Sequence, residues 1–174
     1  MKRYQVLGLL LLVFAACTNQ KVEDKKEVPV KKQIAINTNA VLVKNDQLNA
    51  AYQQYLLLSD ALVNSDMARA KEASMALELG AKAINKGSLI ANLAAKITAS
   101  VDLDVQRSLF AQLSDEMIAK VRQTGLKSGE VYVEFCPMAL NDKGAFWLSN
   151  QKQIRNPYYG ESMLDCGEVK ETLK

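Results

Sequence analysis

Four stretches of helical periodicity between residues 46 and 124 constrain the fold of this chain more than any other feature. In each stretch apolar residues recur at spacings of three and four, which is the pattern of an amphipathic helix with one buried face. The inward positions are Leu48, Tyr52, Tyr55, Ser59 and Leu62 in the first stretch, Ala70, Ala73, Leu77, Ala81 and Ile84 in the second, Leu89, Leu93 and Ile97 in the third, and Leu109, Phe110, Leu113, Met117 and Val121 in the fourth. Because the connections are short, the pattern predicts a mainly α fold, an antiparallel helical bundle of about four helices.

Residues that cap helices set the predicted boundaries. Ser65 and Asp66 suit the N-cap of the second helix, Ser88 that of the third, and Ser100 and Asp102 that of the fourth. Gly87 is typical of the end of the second helix. Tyr52 and Tyr55 share one face of the first helix. We expect their rings to pack in the core and their hydroxyl groups to remain exposed, because a phenol has one apolar and one polar end.

After Gly125 the period changes from that of a helix to that of a strand. Residues 129–136 alternate between apolar side chains, which we expect to face the helices, and a second face that ends with Cys136. The apolar side chains of this alternation are Val131, Val133 and Phe135. Residues 141–144 have the composition of a turn, and residues 145–148 can return as a second strand. We therefore predict a short C-terminal β-hairpin and loop that cap the bundle.

The N-terminus has the composition of an export signal. Lys2 and Arg3 give a positive end, and residues 6–16 form an apolar run that is shorter than the ~20 residues needed to cross a bilayer. Cys17 follows directly, as in the bacterial lipoprotein signal, which this segment resembles and in which the cysteine becomes the lipid-modified first residue. We predict a lipoprotein signal peptide over residues 1–16 and a lipid anchor at Cys17.

The rest of the predicted domain organisation follows from the composition after this cysteine. Residues 17–45 form a flexible tether, because their first half is highly charged and too poor in apolar groups to offset the entropy of ordering. The more apolar part, residues 33–43, allows either a short strand or packing against the domain. Residues 46–174 form the helical-bundle domain, and its C-terminal cap carries the remaining cysteines and two methionines.

Charge and residue content exclude several classes of function. Removal of residues 1–16 takes away two basic residues and no acid, so 20 basic and 19 acidic side chains remain. A protein that binds nucleic acid needs clustered Lys and Arg, so we expect no nucleic-acid binding. The chain contains no histidine, no Gly-rich phosphate loop and no zinc-hydrolase motif, and we predict that it is not an enzyme.

The C-terminal segment carries the most distinctive chemistry of the chain. Cys136 and Met138 are separated by one proline, and Met163 and Cys166 by two residues. A turn that brings these pairs together gathers two thiols and two thioethers, which are soft donors suited to Cu(I) and, by extension, Ag(I). The candidate metal ligands are therefore Cys136, Met138, Met163 and Cys166. Trp147 is a candidate to shield a bound cation with its indole face.

The same two cysteines allow a different interpretation. Export places them where disulfides form, and a bond between Cys136 and Cys166 would stabilise a small cap by ~3 kcal/mol through loop closure. Trp147 and the neighbouring tyrosines would then form a packed minicore, with the methionines as filler. The residues alone leave open a soft-metal site, a permanent disulfide and a pair that switches between the two states.

Four short sequences in this segment resemble those of one family. They are CPMA at 136–139, GAFWLS at 144–149, NPYYG at 156–160 and ML-x-CG at 163–167. Through them, residues 48–173 resemble the exported bacterial domain of unknown function 3347. CPM also resembles the Cys-Pro-Met core of short heavy-metal-binding modules, although Ala139 stands where those modules have a histidine.

The family resemblance implies a cellular context. Domains of this family occur in small lipoproteins and are appended to the periplasmic adaptor subunits of copper and silver efflux pumps. Together with the N-terminal signal, the resemblance leads us to expect a lipid-anchored protein of the bacterial cell envelope, at the outer membrane facing the periplasm, with the membrane and a metal efflux system as partners. The expected function is binding of Cu(I) or Ag(I) through cysteine and methionine sulfurs, in metal handling or tolerance. The alternative is a disulfide-stapled scaffold that docks an envelope partner without a metal.

Overall fold

The computed structural model describes residues 40–174 of the chain. The predicted signal peptide over residues 1–16, the predicted lipid anchor Cys17 and the predicted tether up to residue 39 lie outside the described residues. In the part described, no helix is both long enough and apolar enough to cross a membrane.

Four helices form an antiparallel bundle, as the sequence predicts. They are α1 (Asp46–Val63), α2 (Met67–Lys82), α3 (Ser88–Ala99) and α4 (Leu103–Thr124). Each helix packs against the next one along the chain, and α4 also contacts α1. Many of the buried positions in the first three helices are alanines, and small side chains at a helix contact allow the axes to approach closely.

Side-chain caps begin three of these helices. Asn45, Asp66 and Asp102 each accept a hydrogen bond from a backbone N–H in the first turn of α1, α2 and α4. The predictions for Asp66 and Asp102 are confirmed. Ser88, predicted to cap the third helix, is instead its first residue, and no side chain caps that helix. Gly87, predicted as the end of the second helix, instead directly precedes α3. A β-carbon at this position would lie 2.1 Å from the carbonyl oxygen of Ala81, so only glycine fits the close approach of the two helix ends.

A two-stranded ribbon joins the start of the described chain to the end of the bundle. Strand β1 (Leu42–Val43) pairs antiparallel with β2 (Leu126–Ser128). Val41 and Val43 are buried. The sequence left open whether this segment forms a strand or packs against the domain, and the structure shows both. Residues 42–43 pair as a strand, and Val41 and Val43 bury apolar surface against the domain. The last part of the predicted tether belongs to the fold.

A three-stranded antiparallel sheet completes the domain. Its strands are β3 (Val131–Cys136), β4 (Ala145–Ser149) and β5 (Glu168–Leu173), in the order β4-β3-β5. The hairpin of β3 and β4 is the predicted one, with Glu134 opposite Trp147. β5 was not expected from the sequence. Its residues alternate between exposed and half-buried, so it has no fully apolar face to signal a strand.

Both faces of β3 are buried, which the alternation alone does not predict. Val133 faces α4, where it lines a cavity with residues of that helix. The opposite face carries Glu134 and Cys136, and both are fully buried. Residues 150–167 pack over this second face through contacts with Trp147.

Two tyrosines seal the outer edge of β4. The backbone N–H of Leu148 donates to the Tyr55 hydroxyl at 3.0 Å, and the Tyr158 hydroxyl donates to the Phe146 carbonyl at 2.5 Å. Edge groups of a sheet are otherwise open to pairing with other chains.

The prediction of exposed tyrosine hydroxyls is wrong, because both Tyr52 and Tyr55 are fully buried where the sheet covers α1.

The connection between β3 and β4 contains a left-handed turn. It consists of Leu140, Asn141 and Asp142, with φ of 56°, 57° and 60°. Each such residue costs roughly 1–2 kcal/mol relative to the right-handed form. The turn is held by hydrogen bonds from the Asp142 N–H to the Met138 carbonyl and from the Gly144 N–H to the Ala139 carbonyl. Backbone strain is therefore concentrated directly after Cys136 and Met138.

Candidate functional site

Cys136 and Cys166 lie side by side at the end of the sheet. Cys136 is the last residue of β3, and Cys166 lies two residues before β5, just beyond the last pair of the ladder, Phe135 and Glu168. The two thiols are close enough for each to act on the other electrostatically, and both cysteines are free. Cys136 is fully buried and Cys166 only partly buried, so the pair is reached from the side of Cys166.

The surroundings of Cys166 act on its pKa in both directions. The hydrogen bond with the Cys136 sulfur, burial and repulsion by the Cys136 charge raise the pKa of Cys166 to about 11. The nearby Met138 backbone N–H and Asn156 side-chain amide favour the thiolate and offset part of this rise in pKa. The pair therefore keeps a proton at neutral pH, and a cation that binds both sulfurs must displace it.

Asn156 uses all of its polar groups to hold the loop that carries Cys166. It is fully buried. Its Nδ2 donates to the Cys166 carbonyl at 2.9 Å, and its Oδ1 accepts from the Tyr158 N–H at 2.8 Å. Its own backbone N–H donates to the Leu164 carbonyl at 2.8 Å, and its carbonyl accepts from the Gly160 N–H at 3.0 Å. These bonds close the loop and fix the position of Cys166.

Tyr159 holds the chain on the other side of the pair. Its hydroxyl donates to the Met138 carbonyl at 2.6 Å. Burial, followed by the negative charges of Cys136, Asp142 and Cys166, raises the pKa of Tyr159. The hydroxyl therefore remains protonated at neutral pH and stays a hydrogen-bond donor.

Arg107 anchors the same loop to the bundle. Its Nε donates to the Pro157 carbonyl at 3.0 Å, and its Nη2 donates to the Leu62 carbonyl at 3.2 Å and to the Ser65 hydroxyl at 3.1 Å. Gly160 has a left-handed φ of 57°, and a β-carbon there would lie 3.1 Å from Nη2 of Arg107. The loop therefore packs so closely on the bundle that a side chain at this position would be strained.

The two methionines predicted as ligands join the site through their backbones. Met138 follows Cys136 by two residues, and its side chain is 44% exposed. Met163 ends a short 3-10 turn (Gly160–Met163), and its carbonyl accepts the Cys166 N–H at 3.1 Å. The structure thus brings the two cysteines close together. The two methionines lie two and three residues from them along the chain.

Trp147, predicted to shield a bound cation, is buried beside the loop. A β-carbon on Gly167 would lie 2.9 Å from its Cη2, so the indole packs against the residue that follows Cys166. Its cross-strand neighbour Glu134 is fully buried, and neither carboxylate oxygen has a hydrogen-bond partner among the described residues. Burial raises the pKa of Glu134 to about 8, and the nearby indole N–H lowers it only in part.

The donor set limits which metals fit this site. Within residues 40–174, no group of three or more His, Cys, Asp or Glu side chains is arranged to hold a metal ion. A metal here would be held by two cysteine sulfurs, with only methionine as a further soft donor. Structural Zn²⁺ sites take four ligands, whereas thiolate and thioether sulfurs select Cu(I). The residues present therefore fit a soft monovalent ion of low coordination number.

The sequence does not indicate the hydrogen bonds that Asn156 and Tyr159 make to backbone carbonyls. The sequence NPYYG indicates a turn, because Asn-Pro and Gly favour chain reversal. It does not indicate which carbonyl groups the side chains of that turn will bind. The only available signal is the concentration of aromatic residues in the cap of an otherwise aliphatic chain.

The family comparison concerns the bundle. Residues 51–129 match the model of a family described as "Protein of unknown function (DUF3347)". The chain carries a DUF3347 domain. This domain runs from the first turns of α1 to the turn before β3, so CPMA, GAFWLS, NPYYG and ML-x-CG lie C-terminal to it. No curated protein and no solved structure matches the chain.

Proposed function

We propose that this DUF3347 protein binds a soft monovalent metal, Cu(I) or Ag(I), through Cys136 and Cys166. The observation that carries the proposal is the proximity of two free cysteines at an accessible end of the sheet. Thiolates are soft donors, and the absence of histidine from the chain removes a common ligand of Zn²⁺ and Cu(II). The strong metal ligands at this site are therefore the sulfur atoms of Cys136 and Cys166.

Met138 is the proposed third donor, and Met163 the fourth. The side chain of Met138 is 44% exposed, so it can turn towards the pair without a loss of core packing. Its backbone already lies beside Cys166. Trp147 packs against the neighbouring Gly167 and would limit the access of water to a bound ion.

We place this activity in the bacterial cell envelope. Residues 1–16 have the features of an export signal, and Cys17 stands where lipoproteins carry their lipid. The proposal is a lipoprotein anchored through Cys17 at the outer membrane, facing the periplasm. There it would take part in metal handling or tolerance together with an efflux system, in line with the family resemblance.

A disulfide between Cys136 and Cys166 is the second candidate state. The same proximity of the two thiols favours it, since thiols held near each other form a disulfide readily once an oxidant is present. The oxidised cap would be stapled, and the protein would act as a scaffold that docks an envelope partner without a metal.

Titration of the reduced chain with Cu(I) tests the proposal. The Cys17→Ser chain is reduced, titrated against a competing Cu(I) chelator, and its thiols are counted by alkylation before and after. We expect one equivalent to bind and to protect Cys166, the accessible thiol of the pair, and Cys136→Ser or Cys166→Ser to abolish tight binding. A disulfide that resists mild reduction, with no copper bound once it is opened, would refute metal binding and favour the scaffold.

Methionine variants test the rest of the ligand set. Met138→Ala and Met163→Ala are expected to weaken Cu(I) binding by about tenfold. Met75→Ala is the matched control, because Met75 is an exposed methionine on α2, outside the cap. Unchanged affinity in both ligand variants would leave a site of two cysteines only.

A further inference from the structure

The backbone on either side of the thiol pair is not held by the sheet. The ladder between β3 and β5 ends at Phe135 and Glu168, and the ladder between β3 and β4 ends at Cys136. Met138 and Cys166 therefore lie beyond the last strand pairs. Some other contact must keep these two segments together if their sulfurs are to stay in contact.

Two side chains of the turn at 156–160 supply that contact. Asn156 donates to the carbonyl of Cys166, and Tyr159 donates to the carbonyl of Met138. The turn therefore binds the chain on both sides of the pair, through two side chains that are three residues apart in the sequence. A side chain that fixes a neighbouring residue in this way restricts the functional group without touching a ligand itself.

The turn is itself fixed to the bundle. Arg107 of α4 binds the Pro157 carbonyl together with the end of α1. The turn also closes on itself through the bond from Gly160 N–H to the Asn156 carbonyl. A supporting residue is effective only when its own position is locked by packing and hydrogen bonds. This condition is met here, because the support is continuous from the helices to the loop of Cys166.

We infer that Asn156 and Tyr159 are positioning residues that hold the Cys136 and Cys166 thiols together as a preformed pair. The consequence for Cu(I) rests on the proposed function. The positioning itself does not, because it concerns only the distance between two sulfurs. A probe that recognises paired thiols of any function can therefore test it.

Phenylarsine oxide is such a probe. One molecule condenses with two thiols, forming two As–S bonds and releasing one water, with no change of oxidation state. The Cys17→Ser chain carries only the two thiols of interest. We expect the wild-type pair in this background to bind one equivalent. We expect Asn156→Asp to weaken capture at least about tenfold and Tyr159→Phe to weaken it several-fold.

Two controls match these changes in chemistry. Gln153→Glu makes the same amide-to-acid change at an exposed position three residues from Asn156. Tyr132→Phe removes a hydroxyl that bonds Glu130. Both controls should capture the arsenical as the wild type does. Equal losses in the controls and the test variants would overturn the inference.

Alkylation by iodoacetamide separates lost positioning from lost folding. Cys136 is fully buried, so it should stay protected in a variant that folds but has lost its paired geometry. If Cys136 becomes reactive in Asn156→Asp, that variant has lost its fold and cannot report on positioning. The milder Tyr159→Phe variant then provides the test. Wild-type arsenical affinity in Tyr159→Phe, or failure of the wild-type chain to bind the arsenical at all, would overturn the inference.

The outcomes also separate this inference from the proposed function. Capture of the arsenical without tight Cu(I) binding would refute the metal proposal and leave the positioning intact. Tight Cu(I) binding together with undiminished arsenical capture in Asn156→Asp and Tyr159→Phe would support the metal proposal and refute the positioning role.

Discussion

The phenolic oxygen of Tyr55 in α1 accepts the backbone N–H of Leu148 in β4 at 3.0 Å. The same oxygen lies 2.8 Å from the hydroxyl of Ser114 in α4. The ring stacks on Phe110 with centroids 5.1 Å apart. One buried side chain thus connects two helices to the outer edge of the sheet. Because of this network, the helical bundle and the C-terminal cap share one core, and a change in one alters the stability of the other.

Tyr55→Phe is expected to lower the free energy of unfolding by about 1–3 kcal/mol. The ring is retained, but the Leu148 N–H and the Ser114 hydroxyl lose a buried partner. Urea unfolding followed by circular dichroism measures the change. Tyr132→Phe is the control, because its hydroxyl bonds Glu130 near the surface, and a change within about 0.5 kcal/mol is expected there. Equal effects in the two variants would contradict the network.

The helices could be predicted because each of them buries one face, and burial at a period of 3.6 residues leaves a visible pattern. Strand β5 leaves no such pattern. Val169 and Leu173 are half-buried among charged residues, and the strand is placed by its backbone pairing with β3. The hydroxyl of Tyr55 was predicted wrongly for a related reason, since its partner Leu148 lies 93 residues away in the sequence.

Glu134→Gln is expected to stabilise the protein at neutral pH by about 2 kcal/mol. Burial raises the pKa of Glu134 from 4.5 to about 8 in the folded state. Between these two values the carboxyl is ionised only in the unfolded chain, so unfolding releases a proton and stability falls as the pH rises. Below the lower value the carboxyl is protonated in both states, and the substitution should have little effect.

Unfolding free energies measured from about pH 4 to about pH 9 check this prediction. The advantage of Glu134→Gln should grow until the pKa of the folded state is reached and then level off. Glu161→Gln removes an exposed acid and is the control. A difference that does not vary with pH would mean that Glu134 is already ionised in the folded protein.

Cys136→Ser is expected to lower the pKa of the Cys166 thiol from about 11 towards its ordinary value of 9.0. The hydrogen bond with the Cys136 sulfur is the largest cause of the raised pKa, and a serine hydroxyl carries no charge at these pH values. The donors from Met138 and Asn156 remain and continue to favour the thiolate. Ultraviolet absorbance of the thiolate against pH measures the shift, and an unchanged value near 11 would contradict contact between the sulfurs.

The approach of the two cysteines could be anticipated from the turn at Asn156, which returns the chain towards the hairpin. The roles of Asn156 and Tyr159 could not, because their acceptors are backbone carbonyls. Every residue has a carbonyl, so the acceptor leaves no mark in the sequence. The burial of Glu134 could not be anticipated either, because the alternation in β3 predicts one apolar face and one polar face.

Gly167 and Gly80 lead to opposite predictions for the same substitution. Gly167 has φ of 145°, and a β-carbon there would lie 2.9 Å from Trp147 Cη2 and 3.0 Å from the Phe135 carbonyl oxygen. Gly167→Ala should therefore lower the free energy of unfolding by about 2 kcal/mol. It should also weaken arsenical capture, because this residue follows Cys166. At Gly80, in the last turn of α2, a β-carbon would lie 3.6 Å from the nearest atoms of another residue, which is ordinary contact.

Gly80→Ala is therefore expected to raise the free energy of unfolding by about 0.5–1 kcal/mol, because alanine has less backbone freedom to lose on folding. Thermal unfolding and arsenical capture of both variants measure the contrast. Gly80→Ala should leave capture unchanged, since it lies in the bundle away from the loop. If Gly167→Ala kept both the stability and the capture of the wild type, the loop of Cys166 would not be packed against Trp147, and the thiol pair would lack that support.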